Sequence, residues 1–200
     1  MKQLRQYRVL CLRNALRIAS ASLVALSLQA CQPWRQATPP AGGFTVSLPW
    51  DPPCQFIRGP KEFGGLPGST CHGRDPFYLS AMSISTYFAT GYALPPGQDL
   101  APVREQTAAE FRPTSTSSFT VVSESERLMA GATWTVTVIE DRDPKFRWRA
   151  VRLATVRPEG VFTMTFAASI ESWSSQKAER FFDSFRFRGS PGDFKESTGV

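Results

Sequence analysis

The sequence predicts an α+β fold, an antiparallel β-sheet of about six strands covered by two helices. Three observations predict it. Between Phe119 and Ala168, four segments of alternating apolar character are separated only by short turns, as in an antiparallel meander. In SSQKAERFFDSFRF, Ala178, Phe181, Phe182 and Phe185 recur at i, i+3, i+4 and i+7, which describes an amphipathic helix laying aromatics onto a sheet. A second helical stretch, Asp99 to Pro113, follows a strand-like run. Helices over one antiparallel sheet make a layered sandwich.

Taken in order, Phe44-Thr45-Val46-Ser47-Leu48 alternates like a half-buried strand and stops at Pro49. Trp50 to Asp75 is dense in glycine and proline and reads as an ordered loop. Phe77 to Leu94, with Tyr78, Ile84, Tyr87, Phe88 and Tyr92, has strand character. Asp99 can cap the first helix, where Pro102 is tolerated in the first turn and Leu100, Val103, Thr107 and Phe111 share a face. The meander comprises Phe119–Met129, Thr133–Ile139, Phe146–Arg157 and Val161–Ala168. Trp134, Val136 and Val138 share one face of its second strand; Phe162, Met164 and Phe166 share one face of its fourth. Alternation in the third strand changes phase near Ala150-Val151, which either a bulge or burial on both sides would produce. Ser174 can cap the closing helix, and Arg186-Phe187-Arg188 is a short return segment.

The N-terminal segment has a different character. Residues 1–17 carry Lys2, Arg5, Arg8, Arg13 and Arg17 and no acid, and Ile18 to Ala30 is uncharged. Those thirteen residues are fewer than the roughly twenty a spanning helix needs, and the pattern is that of a secretory signal peptide. Its end, Leu28-Gln29-Ala30-Cys31, resembles the bacterial lipobox, although Gln29 is a less usual occupant. That resemblance implies acylation of Cys31 and cleavage before it; an ordinary signal peptide or an uncleaved anchor are the alternatives. The expected organisation is a signal peptide at 1–30, a flexible tether at 31–43, one domain at 44–188 and a disordered tail at 189–200. The chain has 23 basic and 17 acidic residues, net +6. Five of the bases and none of the acids lie in residues 1–30, so the remainder stands at 18 against 17. The basicity belongs largely to the leader, and nucleic acid is not expected as a partner.

Cys54 and Cys71 remain in the expected mature chain, and in an exported protein they read most simply as a disulfide. His72, the only histidine, adjoins Cys71, but three candidate ligands fall short of the four that a structural zinc site uses. No G-x-S-x-G element presents a nucleophile. EFGGLPGST lacks the lysine and spacing of a phosphate-binding loop. Glu140, Asp141 and Asp143 supply too few oxygens for a calcium loop and are offset by Arg142 and Lys145. No cofactor is expected. Lys145, Arg147, Arg149, Arg152 and Arg157 cluster on one strand with Phe146 and Trp148 between them. Arg147, Trp148 and Arg149 form a candidate partner face, against the simpler reading of a polar outer face with aromatics turned inward.

An early strand ending in proline (FTVSLPW), a middle helix, a glycine-turned hairpin (LMAGATWTVTV) and a closing helix with FFDSFRF resemble the PsbP/Mog1-like superfamily over roughly Phe44 to Phe187. The resemblance implies a binding or assembly factor and carries no catalytic motif; the Cys54–Cys71 insert departs from the pattern. The combined expectation is a binding or assembly protein of the bacterial cell envelope. It would be lipid-anchored to a membrane through Cys31, face the periplasm or exterior, and have an envelope protein partner. An envelope hydrolase whose site is assembled from sequence-distant residues is the alternative.

Overall fold

Residues 34–49, 53–75, 85–110, 119–141 and 147–188 are described by the computed structural model. The expected signal peptide, Cys31, Phe111 and the tail at 189–200 lie outside the described residues. Ten strands occur in two sheets, with two α-helices among the described residues. The strands are β1 (Trp34–Ala37), β2 (Phe44–Pro49), β3 (Cys54–Arg58), β4 (Pro67–Arg74), β5 (Thr86–Ala93), β6 (Phe119–Met129), β7 (Ala132–Asp141), β8 (Trp148–Arg157), β9 (Gly160–Ser169) and β10 (Arg186–Phe187). The helices are α1 (Leu100–Glu110), between β5 and β6, and α2 (Ser175–Asp183), between β9 and β10. One sheet has the order β3-β4-β5-β9-β8-β7-β6 and the other β1-β2-β10; every pairing is antiparallel. The fold is therefore α+β and mostly antiparallel sheet. No helix of the described residues is long and apolar enough to cross a membrane.

The meander follows its predicted course, β6 to β9 as sequential neighbours. Ala130 and Gly131 both adopt positive φ, 51° and 76°, at the β6–β7 turn. A two-residue turn with two left-handed residues matches the twist of the strands it joins, and glycine makes the second position inexpensive. The phase change in β8 is not a bulge: its register with β7 and β9 runs without a shift. Both faces are covered instead, so that Ala150 is 7% exposed on one and Leu153 1% on the other. The bulge lies in β6, between Val121 and Ser123, and leaves Val122 exposed. On an edge strand, such a bulge interrupts the row of unpaired backbone groups that would otherwise template pairing with another chain.

Two expectations need correction. The expected tether contains β1, whose Trp34–Ala37 pairs with Pro49–Val46 of β2. Ala37 and Ala41 are buried, and the Ala41 N–H donates to Ser69 Oγ at 2.8 Å. Hydrogen bonding to β2 and β4 fixes this stretch, so the folded unit begins at Trp34. The expected loop at 50–75 is a hairpin, β3 and β4, with a 3-10 turn at Lys61–Phe63 between them. Cys54 sits directly opposite Cys71, Cα to Cα 4.1 Å, and the two form a disulfide. These three strands, with β10 at the predicted return segment, raise the strand number from about six to ten.

One face of the large sheet, here the inner face, packs against α2 and the small sheet. Phe44, Val46 and Leu48 of β2 and Ala178, Phe181 and Phe182 of α2 bury against Trp134, Leu153, Phe162, Met164 and Phe166. The segment Ser184-Phe185-Arg186-Phe187 makes this union. Ser184 Oγ accepts the Ser47 N–H at 2.9 Å and donates to the Phe181 carbonyl at 2.7 Å. Phe185 then enters the core, and Arg186-Phe187 pairs with Thr45 and Phe44 of β2. Gly91 lets β5 pass beneath: a Cβ there would stand 2.9 Å from both Phe44 and Phe162. At the start of α2, the Lys177 N–H donates to Ser174 Oγ at 3.3 Å, the predicted cap.

Candidate binding groove

The opposite, outer face of the large sheet is largely threonine. In TWTVTV, Trp134, Val136 and Val138 face inward as predicted, and alternation turns Thr133, Thr135 and Thr137 outward. Helix α1 lands on this face but covers only part of it. Val103 packs with Tyr92, Leu94 and Val161, and Leu100 and Val156 adjoin them, so the helix sits over β5, β9 and β8. The predicted cap is present, the Ala101 N–H donating to Asp99 Oδ1 at 3.0 Å. Thr107 is buried in the helix–sheet contact, and its hydroxyl donates to the Val103 carbonyl at 2.7 Å.

Where α1 stops short of β6, a groove of about 530 Å³ remains. Thr133, Thr135, Thr137, Ala154 and Val156 form its floor. Arg104, Thr107 and Ala108 line the helix side, and Glu124 and Glu126 of β6 line the other. Arg157 reaches its end but is engaged by the fold, paired with Glu159 and 4.2 Å over the Phe187 ring. The groove thus offers hydroxyls and methyls below, a guanidinium on one wall and carboxylates on the other. Such a surface can hold an extended polar chain through hydrogen bonds and end-specific charge contacts.

Tyr92 underpins the helix side. Burial, reinforced by the Glu110 carboxylate, pushes its phenol up to about 12, with a Thr107 hydrogen bond pulling the other way. The folded state therefore favours the neutral phenol. Its contribution is complete below the ordinary value of about 10 and is lost as pH rises from there to about 12. The loss for this 8%-exposed residue is roughly 2–3 kcal/mol. Tyr87, buried with its hydroxyl 3.3 Å from both Asp75 carboxylate oxygens, is raised further, first by burial and then by Asp75. The melting temperature should fall between pH 10 and 12, and Tyr92→Phe should flatten part of that fall. Identical alkaline curves for the two proteins would refute the linkage.

The structure brings one pair of predicted site residues together, Cys54 and Cys71. It divides the candidate partner face. Arg149 lies opposite Glu140 on the inner face, its Nε 3.6 Å from Glu140 Oε1 and its guanidinium 5.1 Å over Trp173. Trp148 points to the outer face, half-buried, and Arg147 is exposed just before the strand. Of the same basic run, Arg152 is on the outer face, where burial lowers its pKa, and Arg157 is on the inner. Strand alternation separates these neighbours, and one face carrying all three residues does not form. His72 stacks on Phe88 on the outer face, while Cys71 points into the core. The groove itself was missed in the sequence; the available signal was that every outward residue of TWTVTV is threonine rather than lysine or glutamate.

No family model matches the chain, and no curated protein matches it. Among solved structures, a protein from Bacteroides thetaiotaomicron VPI-5482 is similar at 10% identity with a TM-score of 0.49. The similarity covers 80% of this chain and 50% of that one, so this chain spans about half the length of its structural neighbour.

Proposed function

We propose that this is a lipid-anchored binding protein of the bacterial cell envelope, of PsbP/Mog1-like build. It would hold an extended segment of an envelope protein in the groove between α1 and β6. The groove carries the reading: its hydroxyl floor and oppositely charged walls suit a polypeptide segment with a basic group toward Glu126 and an acidic group toward Arg104. The leader, the lipobox-like LQAC and the Cys54–Cys71 disulfide support an exported, anchored location. The order of elements, with the closing helix feeding a strand onto β2, supports the family assignment.

A photo-crosslinking amino acid placed at Thr135, on the groove floor, should give a discrete protein adduct in envelope preparations. The same group at exposed Ser175 on α2 should not. Adducts of equal yield at both positions, or none at Thr135, would dismiss the groove as a binding site. Independently, Cys31→Ala should abolish acyl labelling and shift the protein out of the membrane fraction. Unchanged fractionation and labelling would refute the anchor.

A further inference from the structure

We infer that the end of the domain around Trp34 and Trp173 rests on the phospholipid headgroups of the anchoring membrane, with the groove held away from it. The inference rests on the anchor reading above. Only Gln32 and Pro33 separate Cys31 from Trp34, the first residue of β1. Three residue steps of chain reach at most about 11 Å, whatever their conformation. An acyl group on Cys31 therefore leaves the β1 end no room to stand off the bilayer.

The side chains at this end suit the position. Trp34 packs edge-on against Tyr87 at 5.4 Å, with the Arg180 guanidinium 4.5 Å over its ring. Tyr87 touches Phe166 at 5.0 Å, and Phe166 touches Trp173 at 5.0 Å. Trp173 in turn carries Arg149 at 5.1 Å. Two half-buried tryptophans, each overlaid by an arginine, are thus joined by a continuous line of rings. Trp148 begins β8 at the same strand end, paired with Ser169, and exposed Arg147 precedes it.

Tryptophan suits the water–headgroup interface, its ring at the headgroup level, and a guanidinium pairs with phosphate oxygens. Among the described acids here, Asp75 is bound by Lys177 at 2.7 Å and Glu140 pairs with Arg149; exposed Glu171 and the Asp141 terminus of β7 complete the set. Charge is therefore nearly balanced, and phosphate contact rather than net attraction is the chemistry assigned.

The groove occupies the other end of the same strands. Thr133 adjoins the β6–β7 turn and Val156 the β8–β9 turn, whereas Asp141 and Trp148 mark the near end. Ten residues of β8 rise about 33 Å. Resting on Trp34 and Trp173, with the floor residues Ala154 and Val156 six and eight residues beyond Trp148, the domain would present the groove about two nanometres into the aqueous compartment.

The test uses the full chain purified from membranes, with the Cys31 acyl group confirmed by intact mass. The protein is reconstituted into vesicles of phosphatidylethanolamine and phosphatidylglycerol with and without shallow-brominated lipid. Bromolipid should quench tryptophan fluorescence, and the Trp34→Phe/Trp173→Phe variant, checked for unchanged circular dichroism, should lose about half or more of that quenching. Fully buried Trp134 should not contribute. Acylated protein without quenching, or with quenching untouched by the double variant, would overturn the proposed orientation; a protein partner covering this end would give that result. A chain lacking the acyl group would instead refute the anchor reading, and this inference with it.

Discussion

Phe185→Ala should destabilise the fold by about 3–5 kcal/mol, among the largest effects a single substitution can have here. Phe185 is fully buried just beyond α2 and stacks on Phe44 at 5.5 Å. It also meets Trp134 at 5.0 Å, Phe187 at 5.1 Å and Phe162 at 6.0 Å. Those four rings come from β2, β7, β9 and β10, so the cavity would open where the two sheets and the helix end converge. Little can collapse into it, because the surrounding rings are held by strands paired elsewhere. For a chain of this size the melting temperature should drop by about 6–20 °C. The neighbouring exposed Arg186→Ala, which loses backbone contacts at 2.6 Å to Asp183 and Phe185 carbonyls, should cost far less. Denaturant melts of the two variants check this. A Phe185→Ala loss below about 1 kcal/mol would show that the convergence point is not the centre of stability.

The second large effect concerns the disulfide. Replacing Cys54 and Cys71 by alanine should cost about 3 kcal/mol in the chain-entropy account of a loop this long. The expected shift is a melting temperature lower by about 6–12 °C. Cys71 is completely buried in the main core, whereas Cys54 lies on the edge strand. The bridge therefore ties the edge strand β3 to β4, which pairs with β5. Amides of β3 should consequently lose hydrogen-exchange protection before those of β8 and β9 do. Calorimetry of oxidised and double-variant protein reads the first effect and exchange the second; equal melting temperatures would show that β3–β4 pairing alone holds the hairpin.

These two sites differ in how far the sequence disclosed them. The pairing of Cys54 with Cys71 was legible from the count of cysteines and the leader, but its setting was not. Glycines and prolines around CQFIR and PGSTCHGR suggested a loop, and what makes them strands is registration, PGSTCHGR against β5 from Gly68–Tyr92 to Arg74–Thr86 and CQFIR against β4. Trp34–Ala37 was hidden for the same reason. Four residues have no periodicity of their own, and their strand pairing is supplied by β2. By contrast β9 and α2 were legible in detail, since each buries one face and so writes a period of 2 or 3.6 directly into the residues.

The candidate groove lay beyond the sequence for a further reason. Threonines on the outer face of β7 are compatible with plain solvation, and nothing local says that α1 will cover their neighbours and leave Thr133 and Thr135 exposed. That outcome depends on Val103 finding Tyr92 and Val161, residues contributed by β5 and β9. The basic run at 147–157 shows the converse. Adjacent in sequence, its members are divided by the pleat between two faces, so proximity along the chain produced no shared surface.

Local chemistry alone thus settled the α+β class, the meander, both helix caps, the inward face of each meander strand named for it and the cysteine pair. These depend on backbone propensity and one-sided burial, which neighbouring residues specify. Packing alone decided the two additional strand pairs, the division into a seven-stranded and a three-stranded sheet, and the gap between α1 and β6. Those features depend on registers between segments as far apart as Ser47 and Ser184, where a hydrogen bond joins residues separated by 137 positions. A contact of that range leaves no periodic trace in either segment.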